Sequence, residues 1–234
     1  CNLQPHLDRA AARAEHPLPP MPPVEDTAAF EAAHLDRAAE TLELALAARL
    51  GGPSTHISRA SRLLAAYYKD ADDAAASAEA VAQPLPLQSL TLQSVWLMRM
   101  SMACDLMHAR APRRLGEHGR RVIKQVADNA LGRLKSARGD EAAIATAAIV
   151  VAATTLDDDQ LYTAAIHGQD DAPGLMQLLS KMIDPHGVRS DSLQTPQPLL
   201  VESLILAAEC AANNGDDLYG HADGRLRKFL LNLS

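Results

Sequence analysis

The stretch EAAIATAAIVVAATTL, residues 141–156, is apolar on every side of a helix, with only Glu141 and three threonines as polar residues. It is rich in alanine, which favours the helix intrinsically. A helix that is hydrophobic all round is buried in the core of a protein rather than placed at its surface. The stretch therefore predicts a helix in the middle of the structure.

Helical patterns continue in both directions from this stretch. Upstream, residues 116–135 predict an amphipathic helix whose apolar face consists of Ile123, Val126, Ala130 and Leu134. Downstream, the acidic residues 157–159 are expected to cap a short helix that ends at Gly168, Pro173 is expected to open another helix, and a longer one is expected over residues 196–213. No part of the sequence shows several strand-like alternations of apolar and polar residues close together. The sequence thus predicts an all-α fold of eight or nine helices, and its short connections imply antiparallel helix pairs.

Composition narrows the classes of function. The chain has 234 residues and a formal net charge of −7, which argues against general affinity for nucleic acid. Aromatic residues make up only 3%, although sugar and nucleobase sites usually stack their ligands on aromatic rings. A long sugar-stacking groove is therefore not expected.

The N-terminal segment has the composition of a tether. The sequence starts at Cys1, and the proline-rich run EHPLPPMPPVED, residues 15–26, is typical of an extended spacer. One interpretation is a mature bacterial lipoprotein, acylated at Cys1, with residues 1–25 as the tether and residues 26–234 as a single domain. The protein would then lie in the periplasm or outer envelope and touch the membrane only through its lipid anchor. The alternative is a domain boundary that falls at a cysteine.

Positive charge is concentrated between residues 110 and 138. Nine Lys and Arg residues against Glu117 and Asp128 give this segment a charge of +7 and leave −14 for the rest of the chain. We expect it to supply an anion-binding surface, for which the candidate residues are Arg113, Arg114, Arg120 and Arg121. The alternative is a solvated helix face whose counter-charges lie on a neighbouring helix.

Several motifs, taken in order, resemble a known family. They are ACDLM at 103–107, TTLDDDQLYTAAIHG at 154–168, the IDPHG turn that ends at Gly187, and NNGDDLYG at 213–220. Residues 90–233 thereby resemble the alginate-lyase-like polysaccharide lyases. The resemblance implies an incomplete α/α toroid around a cleft that holds an acidic polysaccharide. The family's pattern is matched there by Gly215, Asp217, Leu218 and Tyr219. We expect this turn to be a structural corner between two helices, in which Gly215 takes the left-handed conformation at a helix end, Asp216 and Asp217 cap the next helix, and Leu218 and Tyr219 plug the core. The alternative is a direct catalytic role for Tyr219.

The same resemblance implies cleavage by β-elimination, with an Asn-Asn-His cluster as charge neutraliser and base and an Arg/His/Tyr segment after the Asp-Gly turn. In this chain Gly139, Asp140 and Glu141 stand where the cluster is expected, and the later segment retains only Arg189, which is therefore a further candidate substrate-binding residue. We therefore expect an exported domain that either binds an alginate-like polysaccharide or still cleaves it by β-elimination, after losing most of the catalytic set. An active lyase that uses Tyr67, Tyr68, Tyr162 or His186 is a further hypothesis. The alternative from another class is a non-catalytic helical scaffold that docks protein partners in an envelope complex.

Other groups of polar residues give weaker indications of a catalytic or metal site. Cys104 and Cys210 lie in apolar helical patterns and are expected to be small buried hydrophobic residues. Cys104 and His108 are four residues apart and could pair on one helix face, but no third orienting group accompanies them. The nine histidines show no metal-ligand spacing, so neither a metal nor a cofactor is predicted.

Overall fold

A computed structural model of the protein describes residues 4–15, 26–75, 87–108, 113–169, 171–190 and 197–233. Over these residues the chain forms ten helices and one short hairpin. In chain order they are α1 (Gln4–Glu15), α2 (Thr27–Arg49), α3 (Ser54–Ala75), α4 (Leu90–Met107), α5 (Arg113–Arg133), α6 (Gly139–Leu156), α7 (Asp159–His167), β1 (Gly168–Gln169), β2 (Ala172–Pro173), α8 (Leu175–Met182), α9 (Pro198–Asn213) and α10 (His221–Leu231). The predicted all-α class is confirmed, whereas the toroidal arrangement stays a prediction.

The chain divides into two compact units, Cys1–Val126 and Ala127–Ser234, called unit 1 and unit 2 below. In unit 1, α2 packs against α1, α3 and α4. Its core includes the fully buried side chains of Leu44, Leu63 and Trp96. Between α2 and α3, Arg59 Nε donates to Glu40 Oε1 at 2.6 Å, and both side chains are almost completely buried. Either charge alone would be costly in this interior, so the two helices can bury them only as a pair.

The N-terminal segment differs from the predicted tether. Residues 4–15, which were expected to be part of an extended spacer, form helix α1 and pack against α2 and α3. Ala10 is fully buried in this contact, while Arg9 and Arg13 both reach Glu43, at 3.2 and 3.1 Å. The sequence around Pro17–Pro23 concealed this helix because the proline run follows it directly. Cys1 and residues 16–25 lie outside the described residues.

In unit 2, α6 is the central helix, as the sequence predicts. Every residue from Ala142 to Ala153 is buried, and α6 packs against α7, α8 and α9. By length and composition Gly139–Leu156 would also be able to cross a membrane, but 67% of it is buried inside the protein. This is the behaviour of a core helix with an apolar surface on all sides.

The connections around α7 set the walls of the candidate site. Helix α6 ends at Asp157, which is left-handed with φ 52°, and the Asp158 side chain then caps α7 by accepting from Leu161 N at 2.9 Å. This acidic cap was predicted. The start of the next helix was not: Pro173 pairs with Gly168 in the β1–β2 hairpin, so α8 begins only at Leu175. A Cβ atom on Gly174 would overlap the backbone of His167 and Gly168, which explains the small residue at this close approach.

Candidate ligand-binding cleft

The position where the resemblance expects the proton-handling cluster holds an ion pair. Asp140 lies in the first turn of α6, and Arg189 follows the Asp184–Gly187 turn, where it pairs with Ile183 in an isolated β-bridge. Arg189 Nη1 donates to Asp140 Oδ2 at 3.1 Å, and Nη2 lies 2.8 Å from Oδ1. Arg189 is only 7% exposed. Its charge is thus compensated inside the protein, and a ligand carboxylate would have to displace Asp140 to reach it.

The IDPHG turn that precedes Arg189 is built by Asp184. Its Oδ1 accepts from His186 N at 2.8 Å and from Val188 N at 2.9 Å. The hydrogen bond from Val188 N contributes most to lowering the pKa of this carboxyl below its usual value, and that from His186 N adds to it. Gly187 at the end of the turn has φ 79°, a conformation that favours glycine. His186 itself is exposed, and its backbone, rather than its ring, is engaged in the turn.

The corner at residues 214–220 is structural, as the resemblance implies. Gly215 is left-handed with φ 91°, and Leu218 is 1% exposed in the core of unit 2. Asp217 Oδ1 accepts from Gly220 N at 2.8 Å, which closes the turn. Asp216 was expected to cap the following helix; instead it accepts a hydrogen bond from Tyr162 Oη at 2.8 Å. Tyr219 does not plug the core but donates its hydroxyl to the exposed Glu209 at 2.8 Å.

Both tyrosines are therefore held as proton donors to carboxylates. Burial raises the pKa of Tyr162 above its ordinary value, and the hydrogen bond and charge of Asp216 add to the shift. Burial, together with Glu209, raises the pKa of Tyr219 to about 12. Neither phenol is available as a base near neutral pH. The side chains of Tyr67 and Tyr68 lie outside the described residues.

Ser180 and His221 are the residue types of a nucleophilic dyad, but their hydrogen bonds do not suit that role. Ser180 Oγ lies 3.3 Å from His221 Nε2, but Ser180 donates its proton to Met176 O at 2.9 Å. His221 Nε2 also lies 3.2 Å from Met176 O, an oxygen that can only accept. A nitrogen that donates to this carbonyl cannot at the same time take the proton of the serine. The pair ties α8 to the start of α10.

The cysteines are less buried than the sequence predicts, since Cys104 and Cys210 are both half-buried. Both Cys104 and Cys210 carry free thiols. Burial raises the pKa of Cys104 to about 12, despite the opposing charge of Arg120. The thiolate that a nucleophile requires is thus disfavoured. Within the described ranges, no group of three His, Cys, Asp or Glu side chains is placed to hold a metal ion.

The structure describes only part of the anion-binding surface that was predicted for residues 110–138. The apolar face of this segment is confirmed, since Ile123, Val126, Ala130 and Leu134 are at most 2% exposed. Arg121 is exposed and Arg120 is half-buried, whereas the side chains of Arg113 and Arg114 lie outside the described residues. At the other end of the segment, Arg138 follows α5 and precedes the first residue of α6. There it reaches a cleft that the sequence did not indicate.

This cleft, called the unit 2 cleft, is an open cavity of about 500 Å³. Its walls come from the start of α6, the end of α7, the β1–β2 hairpin and α8. The polar side chains among its lining residues are Arg138, His167, Gln169, Asp171, Gln177 and Lys181. The volume lies within the range of small-molecule sites, roughly 300–1,000 Å³. Its described lining residues include no Phe, Tyr or Trp, so recognition by these residues cannot depend on such rings.

The donors in the unit 2 cleft favour an anionic ligand. Arg138 uses Nη1 to donate to Lys135 O at 2.9 Å and to Ala137 O at 2.7 Å, which fixes the guanidinium. Its Nε and Nη2, the Lys181 ammonium and the His167 ring make no hydrogen bond to another described residue. Asp171 is the single carboxylate among the lining residues that the structure describes. Among the described lining residues, a hydrogen-bonded guanidinium, an ammonium and an imidazole thus accompany one acid, an arrangement that suits a carboxylate-bearing molecule.

No protein-family model matches the sequence, and no curated protein shows significant similarity to it. The resemblance drawn from the motifs is therefore neither supported nor contradicted by these comparisons. The chemistry of the unit 2 cleft and of the Asp140–Arg189 pair is the basis for a functional assignment.

Proposed function

We propose that the protein binds an acidic polysaccharide, of the alginate type, without cleaving it. The observation that carries this proposal is the unit 2 cleft, in which Arg138, Lys181 and His167 come together from three different elements. Hydrogen bonds from charged donors to carboxylates are shorter and stronger than neutral ones. A polyuronate offers a carboxylate on every sugar unit, whereas a neutral glycan would find no Phe, Tyr or Trp ring to stack on among the described residues of this cleft.

The absence of cleavage follows from the residues around the Asp140–Arg189 pair. β-Elimination requires a base near the C5 proton and a donor that neutralises the neighbouring carboxylate. The exposed Glu141 would instead repel a uronate, and Asp140 and Arg189 already compensate each other's charge at 2.8 Å. Tyr162 is committed to Asp216 and has a raised pKa. In this proposal the protein is an exported, lipid-anchored relative of the lyases that has kept binding and lost catalysis.

The experiment measures binding and cleavage separately. Binding of polymannuronate and polyguluronate oligomers is followed by titration calorimetry at low and at high salt, and cleavage by the ultraviolet absorbance of unsaturated uronate ends. We expect salt-sensitive binding and no absorbance increase. Because a hydrogen bond to a charged group contributes about 1.5–3 kcal/mol, removing either cation should weaken binding roughly tenfold or more.

Two variants locate the site. Arg138→Gln and Lys181→Gln should weaken binding, while Arg121→Gln, which removes an exposed cation from α5, serves as the matched control and should not. Loss of binding in Arg121→Gln but not in the cleft variants would place the ligand on α5 instead. Equal binding by all three variants at both salt concentrations would refute a charge-based site, and an absorbance increase would refute the loss of catalysis.

A further inference from the structure

Exposed apolar side chains are concentrated at one corner of unit 2. Among the described residues five large hydrophobic side chains are exposed, namely Leu50, Val188, Ile205, Leu231 and Leu233. Three of them, Val188, Leu231 and Leu233, lie on two adjoining segments, which we call the C-terminal corner. Leu231 is 66% exposed, the highest value in this set. Single exposed hydrophobic residues are ordinary, but three on adjoining segments call for a partner.

Hydrogen bonds hold the two segments of this corner together. Asn232 Nδ2 donates to His186 O at 3.2 Å and to Gly187 O at 3.1 Å. Lys228 Nζ donates to Pro185 O at 2.8 Å. These bonds fix the residues on either side of Asn232 against the segment that continues into Val188. The exposed apolar side chains are therefore presented by a defined structure and not by a loose chain end.

The charges beside the corner are mainly positive, although the whole chain carries −7. Arg227 and Lys228 are exposed on α10. The acids on these two segments are Asp223, which is exposed, and Asp184, whose side chain is bound to backbone N–H groups. Arg225 is turned inward and donates to Ser180 O and Ile183 O. Apolar side chains flanked by exposed cations are the pattern of segments that lie in a membrane interface.

We propose that the C-terminal corner rests on an anionic lipid surface, with Leu231, Leu233 and Val188 in contact with the acyl boundary and Arg227 near the headgroups. Attraction between Arg227, Lys228 and anionic headgroups favours this partner. Self-association through the same corner would bring like charges together, which is unfavourable. This membrane contact is additional to the anchor predicted at Cys1. It uses no residue of the unit 2 cleft and does not depend on polysaccharide binding.

The test uses the full chain without acylation, so that any membrane binding comes from the protein itself. Flotation with phosphatidylglycerol-containing vesicles is compared with flotation on pure phosphatidylcholine vesicles. We expect binding to the anionic vesicles only, reduced at least tenfold by Leu231→Ser combined with Leu233→Ser and weakened by Arg227→Gln. The matched control is Leu50→Ser, which removes a leucine of 52% exposure from unit 1 and should leave binding unchanged.

Other outcomes overturn the proposal. Absence of flotation with anionic vesicles, or equal binding to both vesicle types, contradicts an anionic lipid partner. Equal loss in the Leu50→Ser variant shows that general hydrophobicity, and not the corner, is responsible. Concentration-dependent dimerisation that the double serine variant abolishes, measured by light scattering, assigns the corner to a second copy of the chain. Circular dichroism of each variant verifies that the fold is retained.

Discussion

Breaking the Asp140–Arg189 pair from either side should destabilise unit 2, but not equally. Removing one partner of a fully buried pair costs about 3–5 kcal/mol, because the other charge is left without compensation. The Arg189 side chain is 6% exposed and the Asp140 side chain 19%. Asp140 also lies in the first turn of α6, where the helix dipole favours an anion. An orphaned Asp140 is thus better tolerated than an orphaned Arg189.

These exposures give the expected magnitudes. Asp140→Asn, which leaves the arginine buried, should lower the free energy of unfolding by about 3–4 kcal/mol, and Arg189→Met by about 2–3 kcal/mol. The double variant should lose less than the sum of the two, with a coupling energy of about 1–3 kcal/mol. Glu141→Gln changes an exposed carboxylate in the same turn and should cost less than about 0.5 kcal/mol.

The assay is urea unfolding followed by far-ultraviolet circular dichroism at neutral pH. If both single variants unfold like the wild type, the pair is not buried as described. If Arg189→Met is much the more damaging change, the reasoning from unequal exposure fails. The folded double variant should bind polyuronate as the wild type does, because in our proposal the ligand does not use this pair. Loss of binding in that variant alone would return Arg189 to the list of ligand contacts.

Three further predictions concern stability. Burial, together with the nearby Arg37 charge, lowers the pKa of His34 from 6.5 to about 4, so the unfolded chain takes up a proton first on acidification. The free energy of unfolding of unit 1 should therefore fall by up to about 3 kcal/mol as the pH drops from 6.5 towards 4. Urea titrations of a His34→Gln variant check this, because a variant that keeps the acid dependence would contradict the assignment to His34. Tyr162→Phe removes the donor to Asp216 and should cost about 1 kcal/mol in urea unfolding; no loss would mean that the bond is solvated in solution. Ala222 has φ 51°, a left-handed conformation that strains a non-glycine residue. Ala222→Gly should relieve about 1 kcal/mol of this strain and raise the melting temperature. A lower melting temperature would refute the left-handed conformation.

Much of the helical organisation could be predicted from local patterns. The all-round apolar stretch became the buried α6, and the inward face of α5 has three of the four residues that the spacing assigned to it, Ile123, Val126 and Ala130. The fourth, Leu134, is buried directly after the end of the helix. The acidic cap of α7 and the glycine at 215 depend on neighbouring residues only, and both are as predicted. The proline run misled the prediction for residues 4–15, because a helix stabilised by Glu43 in α2 does not show its partner in its own sequence.

The candidate site, unlike the helices, could be predicted only in small part from the sequence. Arg189 was recognised as a lone cation, but its partner Asp140 lies 49 residues away, and only folding brings the two to 2.8 Å. The unit 2 cleft combines Arg138, His167 and Lys181, which share no motif or spacing. The sequence by itself determined the helical class, the central helix and several caps, since periodicity and capping act within a few residues. Which charges are neutralised and which face a cleft was decided by the tertiary structure alone, because electrostatic compensation depends on distances in space that the chain reaches only by packing its helices.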